Sequence, residues 1–223
     1  MEGVGMMIEN KSIQAFSDEI IKQLHNAFTC KGETTLAVSG GSTPIELFKM
    51  LSTCEIEWKK VTVLLCDERC VPSFSEKSNA FLIRRYLLQN RAKEAYFIPL
   101  YDDVSIESSL ENAPKNKDID VLILGMGTDG HTASLFPNNE KLKKAYNLQS
   151  ETAYIHITPA SAPFERISMT LPTILGADNI YLHIEGEQKI EVLKKALASG
   201  DMYTYPILSV LNHPNTKVKV YNT

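Results

Sequence analysis

Four apolar residues, Val121 to Leu124, run straight into Gly125-Met126-Gly127-Thr128-Asp129-Gly130-His131. The run has the length and aliphatic character of a buried strand. The glycines that end it force an abrupt turn, and within that turn sit Asp129 and His131, two groups able to hold charge or move protons. In an open α/β sheet the crevice outside the carboxyl ends of the strands is where a ligand binds. A chain with this stretch is therefore expected to fold around a buried strand and to place its chemistry at the end of it.

The rest of the chain supplies the partners such a strand needs. Residues 12–30 repeat Ile13, Phe16, Ile20, Leu24 and Ala27 at three- and four-residue steps, which predicts an amphipathic helix stopped by Gly32. Strands are expected at Thr35–Ser39, Val61–Cys66 and Tyr96–Pro99. Helices are expected at Pro44–Ser52, Ser78–Gln89 and Ser105–Asn112. Thr43 suits an N-cap, with Pro44 at the first helical position and Glu46 closing a capping box. Beyond the central turn, strands are expected at Ala153–Thr158, Arg166–Thr170, Ile180–Ile184 and Lys217–Tyr221. A helix is expected at Gln188–Ala198 and a short helical turn at Pro206–Leu211. Strands that alternate with helices through the first 130 residues indicate an α/β fold with a mainly parallel sheet. The shorter strands after residue 150 suit an antiparallel edge or a small excursion. The chain reads as a single domain over residues 1–223, with residues 1–10 as a lead-in.

Composition narrows the partners. A net charge of −4 carries no basic excess, so no nucleic-acid surface is expected. No apolar run approaches the ~18 residues of a membrane span, and residues 1–10 lack the regions of a signal peptide. The four cysteines, Cys30, Cys54, Cys66 and Cys70, show no C-x-x-C spacing and read as reduced thiols of a cytoplasmic protein. Arg69 beside Cys70 would lower that thiol's pKa, yet Cys70 reads as structural. The five histidines lack metal-ligand spacing, so no metal is expected. His156 and His183 lie within apolar strands and read as core residues.

Gly125 to Gly130 matches G-x-G-x-x-G after a strand, with Glu151 where a ribose-binding acid would be sought. A dinucleotide site needs a full helix after the glycines. Here only Thr132 to Phe136 is available before Pro137, so the dinucleotide reading is set aside. The chemical reading places His131 at the start of that short helix, whose positive end keeps the ring neutral and able to accept a proton. Asp129 orients the ring or stabilises the cation once formed. The bland alternative is that Asp129 only shapes the turn and His131 only caps the helix.

Ser39-Gly40-Gly41-Ser42-Thr43-Pro44 joins a strand to a helix. Gly40 and Gly41 let the backbone approach an anion, the helix amides point at it, and Ser42 and Thr43 add hydroxyls. The Walker pattern is absent, so a single phosphate fits better than ATP. The alternative is an ordinary strand-to-helix turn. Arg69 follows the Val61–Cys66 strand, on the same sheet edge as both glycine loops, unless it simply pairs with Asp67 or Glu68. Lys189 lies in the first turn of a helix, where the dipole disfavours a cation and an anion beside it would make sense. Otherwise it is a solvated lysine. No G-x-S-x-G elbow supports a serine nucleophile.

Taken together, Ser39 to Pro44, then Asp67-Glu68-Arg69-Cys70-Val71-Pro72 with Ser78-Asn79, then Gly125 to Pro137, then Arg166 to Thr170 and Gly186 to Lys189, resemble the 6-phosphogluconolactonase family. This family shares a superfamily with glucosamine-6-phosphate deaminase. The resemblance covers roughly residues 30–213. It implies a three-layer, Rossmann-like, NagB/RpiA-like α/β domain without a dinucleotide or other cofactor. It implies hydrolysis of 6-phospho-D-glucono-1,5-lactone, the second step of the oxidative pentose phosphate pathway. It places the base on His131 with Asp129 beside it, and phosphate contacts on Gly40 to Thr43, Arg69 and Lys189. Asp67, Glu68, Gly127 and Arg166 are further candidates. The expected partner is a sugar-phosphate lactone, with a monomer or a small homo-oligomer left open. Asn138 stands where the family commonly has glycine, a position Asn tolerates because it accepts positive φ. Ala80-Phe81 replaces a commoner tyrosine. The rival readings are a deaminase or isomerase of the same superfamily, and a non-enzymatic sugar-phosphate-binding domain. A deaminase would carry an acid and Asn in the stretch occupied here by Ala133 to Phe136.

Overall fold

A computed structural model describes residues 8–115, 118–214 and 218–223. In chain order the elements are β1 (Ile8–Asn10), α1 (Ile13–Lys31), β2 (Thr34–Val38), α2 (Ile45–Thr53), β3 (Val61–Leu65), β4 (Asp67–Arg69), α3 (Asn79–Tyr86), β5 (Tyr96–Phe97), α4 (Ile106–Asn112) and β6 (Val121–Leu124). They continue with α5 (Leu142–Ala145), β7 (Tyr154–Ile157), β8 (Arg166–Met169), α6 (Leu171–Leu175), β9 (Asn179–Ile184), α7 (Glu187–Ser199), α8 (Leu208–Leu211) and β10 (Val218–Asn222). Residues 8–10 are thus a strand, paired with β10, and not part of a lead-in. Lys217, expected to open the last strand, lies outside the described residues.

Seven strands form one sheet in the order β1-β10-β9-β6-β2-β3-β5, and every pairing in it is parallel. The order explains where a site can form. From β2 the chain steps outward to β3 and β5, then returns to the other side of β2 for β6, β9 and β10. The loops leaving β2 and β6 diverge in opposite directions, so a crevice opens between them at the carboxyl edge. The hydrogen bond Ser39 N to Ile123 O, 3.0 Å, fixes the two strands at the same height where they end.

Both faces of this sheet are covered. All four residues of β6 are buried, and so are consecutive residues of β9 from Ile180 to Ile184. An unbroken apolar run, and not an alternating one, is what a parallel strand between two layers requires. On one face α1 presents Phe16, which stacks on Tyr221 at 4.5 Å and meets Tyr181 at a tilt and His183 edge-on. The helix begins on Ser12, whose Oγ accepts from Ala15 N, and ends at Gly32, whose φ of 78° gives a left-handed cap. Among the described residues no helix is long and apolar enough to cross a membrane.

The polar stretch after β3 does not trail off as a loop. It forms β4 and joins β8 and β7 in a separate antiparallel sheet. Cys66 is the hinge between the sheets: its N donates to Val38 O in the large sheet, and its O accepts from Met169 N in the small one. The small sheet therefore stands on the carboxyl edge and walls one side of the crevice. Two sequence expectations do not hold here. The capping box at Thr43 and Glu46 is not formed; α2 starts one residue late with no side-chain cap, and Glu46 pairs with Lys49 at 2.5 Å. The helix after Ser78 ends at Tyr86 and does not reach Gln89.

Glu68 fixes α3 against the small sheet. Only 1% exposed, its carboxylate accepts from Arg69 N at 2.6 Å, Ser78 Oγ at 3.0 Å, Asn79 N at 2.7 Å and Ala80 N at 2.7 Å. Burial pushes its pKa up, and these four donors pull against that shift. Glu68→Ala leaves the donors without a partner. It is expected to destabilise the fold by about 2–4 kcal/mol, read as a lower urea midpoint. An unchanged midpoint would show that the α3 amino end holds without this carboxylate.

Candidate active site

A cavity of about 240 Å³ opens in the crevice, bounded by the loop after β2, the loop after β6, β4, and the start of α7. Gly40, Gly41, Ser42 and Thr43 line it, as do Asp67, Arg69, Gly127, His131 and Lys189. Asp129 is held on His131. Arg166 stands behind Arg69 in the small sheet. Glu68 faces α3 and does not line the cavity.

The loop after β6 is folded by its own amides. Gly127 N donates to His131 O at 2.8 Å, Gly130 N to Gly127 O at 3.0 Å, and Thr132 Oγ1 to Gly125 O at 2.9 Å. A Cβ on Gly127 would run into the His131 ring and the Asp129 carboxylate. Gly130 sits at φ 81° with Tyr205 against its Cα. These two positions need glycine for different reasons, one for close approach and one for backbone geometry. The short helix expected over Thr132 to Phe136 is absent. Ala133 takes φ 46° and Thr132 bridges Leu135, which closes a tight turn in its place. The helix-dipole argument for a neutral His131 therefore does not apply.

Asp129 instead fixes the orientation of the ring. Its Oδ1 lies 2.6 Å from His131 Nδ1 and also accepts the His131 amide at 3.1 Å. Burial raises the Asp129 pKa, but its bonds to His131 outweigh this and hold the carboxyl below its ordinary range. A carboxylate on Nδ1 fixes the proton there and leaves Nε2 as the basic nitrogen. Phe136 packs on the ring at 4.6 Å and limits its rotation.

The opposite walls carry positive charge. Arg69 pairs with neither Asp67 nor Glu68 among the described ion pairs; its Nη1 donates to Lys77 O at 2.6 Å. Arg166 lies directly opposite it in the β4–β8 ladder and is 6% exposed, with Nη1 unpartnered. Burial and then the Arg69 charge lower the Arg166 pKa. Lys189 donates to Met126 O in the β6 loop, and burial lowers its pKa while Asp129 opposes the shift. These cations stand together in a protein of net charge −4. Partly desolvated cations with unspent donors are a site for an anion.

Asp67 braces the structure between the two sides. Ser134 Oγ donates to its Oδ2 at 2.5 Å, and Asn79 Nδ2 donates to its carbonyl at 2.8 Å. Among the lining residues outside the sequence-based site set are Asn79 and His183. Asn79 is 2% exposed, its Oδ1 is unpartnered, and it fills the space where a Cβ on Gly40 would go. The signal was available in the Ser78-Asn79 pair, so α3 reaches the cavity without the tyrosine. His183 was read as core. It is nevertheless among the residues that line the cavity, and only its place at the carboxyl end of β9 could have indicated that. His156, also read as core, is half-buried and bonded to Glu165. Burial pushes the Cys70 thiol up to about 12, so Arg69 does not activate it. Asn138 does adopt positive φ, at 53°.

Comparison with known proteins agrees with this architecture. A profile of the family described as Glucosamine-6-phosphate isomerases/6-phosphogluconolactonase matches residues 9–220. The chain is 41% identical over 218 residues to the 6-phosphogluconolactonase of Neisseria meningitidis, covering 95% of this chain and 94% of that one. It is 39% identical to the 6-phosphogluconolactonase of Rhizobium meliloti, covering 96% of each. The crystal structure of a 6-phosphogluconolactonase from Shewanella baltica superimposes with a TM-score of 0.90 at 36% identity, over 98% of both chains. With the loops, cations and Asp129–His131 pair arranged as above, the chain belongs to the glucosamine-6-phosphate isomerase/6-phosphogluconolactonase family.

Proposed function

We propose that this protein hydrolyses 6-phospho-D-glucono-1,5-lactone to 6-phosphogluconate, as one lactonase domain over residues 1–223 acting in the cytoplasm. The observation that carries the reading is the placement of an imidazole oriented by Asp129 across one cavity from a glycine loop and a set of cations. Such a site can hold a phosphate at one end and deliver a base to an ester at the other. The relatives it resembles at about 40% identity carry the lactonase name.

His131 Nε2 takes a proton from water as the water oxygen attacks C1 of the lactone. The carbonyl π pair moves to oxygen and returns as the bond from C1 to the ring oxygen breaks. His131 then gives its proton to that ring oxygen, and the open acid leaves. An ester this activated needs neither a covalent intermediate nor a cofactor on this route. Asp129 stabilises the imidazolium formed midway. The amides and hydroxyls of Gly40, Gly41, Ser42 and Thr43 hold the phosphate with Arg69 and Lys189, and Arg166 adds charge behind Arg69. Asp67, through Ser134, keeps the base loop in register with this cradle. Gly127 leaves room for the His131 ring. Glu68 acts on the fold by seating α3.

A deaminase or isomerase needs a further acid near His131. The residue packed on its ring is Phe136, and the carboxylate bonded to it is Asp129 alone among the described contacts. The lactonase reading is therefore preferred.

Freshly generated 6-phosphogluconolactone, corrected for spontaneous opening, provides the test. Wild-type protein should accelerate hydrolysis strongly, and His131→Ala should lose about 10²–10⁴-fold in kcat with its melting temperature kept. A His131→Ala rate equal to wild type would refute the base assignment. A second comparison addresses the cradle. Arg69→Met should raise KM for the phosphorylated lactone by about 10-fold or more, the worth of a charged hydrogen bond. Its kcat/KM on unphosphorylated gluconolactone should not change. An equal loss on both substrates would remove Arg69 from the phosphate site.

A further inference from the structure

His183 has no part in the reaction as drawn, yet its environment is unusual for a core histidine. It sits near the carboxyl end of β9, 2% exposed, and is one of the residues that line the cavity. One nitrogen is spent: Nε2 lies 3.0 Å from Thr223 Oγ1. The other, Nδ1, has no partner. Phe16 meets the ring edge-on at 5.1 Å and holds its plane. A fixed, buried nitrogen without a partner costs free energy unless something in the occupied state bonds to it.

The chemistry of that something follows from charge. Burial pushes the His183 pKa down to about 4, so the ring is neutral at physiological pH and is not a partner for phosphate. The cations around the cavity already serve an anion. A neutral imidazole nitrogen matches a hydroxyl, which can donate or accept as the tautomer requires. Asn79 Oδ1, equally buried and unpartnered at the α3 side of the cavity, shows that the site keeps more than one neutral group in reserve.

We propose that His183 is a specificity-determining residue that binds one ring hydroxyl of the sugar lactone through Nδ1, and so selects a polyhydroxylated substrate over one lacking that group. The assignment rests on the lactonase reading above and adds the substrate feature that the floor of the site recognises.

The test compares kcat/KM of wild type and His183→Leu on the phosphorylated lactone and on phosphorylated lactones from which each ring hydroxyl is removed in turn. His183→Leu should lose about 10- to 100-fold on the parent lactone. On one deoxy lactone the two proteins should be equal, because the hydroxyl that His183 reads is gone. His183→Asn, which keeps a polar group, should recover part of the loss on the parent. A loss of the same size on every lactone, or no loss on the parent, overturns the proposal and leaves His183 as packing. Wild-type inactivity on all the lactones would instead sink the lactonase reading, and the hydroxyl assignment with it.

Where His183→Leu does not fold, nitrogen-15 NMR of wild-type histidine rings decides. The His183 ring is recognisable because it stays neutral near pH 6. Its Nδ1 resonance should move on addition of 6-phosphogluconate and stay in place with inorganic phosphate. An Nδ1 signal unmoved by 6-phosphogluconate contradicts the proposal.

Discussion

The hydrogen bond from Ser39 N to Ile123 O sets the height at which β2 and β6 end, and the site depends on that height. Parallel neighbours whose chains depart in opposite directions leave a gap no side chain of the sheet can fill. The β2 loop enters the gap with glycine-lined backbone, and the β6 loop enters it with His131. Were the register shifted by one residue, Leu36 and Val38 would turn away from their layer and the two loops would no longer face each other. The small antiparallel sheet adds the third wall, because Cys66 belongs by its backbone to both sheets.

Three hydrogen-bonded carboxylates, two of them buried, turn these walls into one rigid frame. Glu68 seats α3, and Asp67 joins the β6 loop to α3 and β4 through Ser134 and Asn79. Asp129 holds His131. Asp67 and Glu68 are bonded by groups from neighbouring elements, and Asp129 by His131 within its own loop. The charge that faces the cavity comes from Arg69 and Lys189, with Arg166 paired opposite Arg69 in the small sheet. Burial weakens the charged form of Lys189 and Arg166, which makes an incoming phosphate the group that restores it.

Much of this was legible in the sequence, for reasons that differ by element. The apolar run of β6 and the three- and four-residue steps of α1 report burial directly, so the α/β layout followed. The glycine loops were legible because glycine marks backbone that must approach something closely. Three features were hidden. The tight turn at Ala133 looked like a helix, because apolar residues before a proline fit either structure, and a non-glycine residue at positive φ carries no strong local signal. The cap expected at Thr43 failed because tertiary placement of the β2 loop overrode local propensity. The cavity-lining residue His183 lies in an apolar strand, where pattern alone indicates core. Resemblance to a known family supplied the substrate; the residues by themselves indicated only a base beside an anion cradle.

The central claim is directional: base at one end of the cavity, phosphate at the other. The structure of the protein with 6-phosphogluconate measures this most directly. The account predicts the phosphate oxygens within hydrogen-bond reach of the Gly40 to Thr43 loop with Arg69 or Lys189, and the C1 carboxylate at His131 Nε2. A product bound in the reverse sense, with its phosphate on His131 and its carboxylate in the glycine loop, would contradict it.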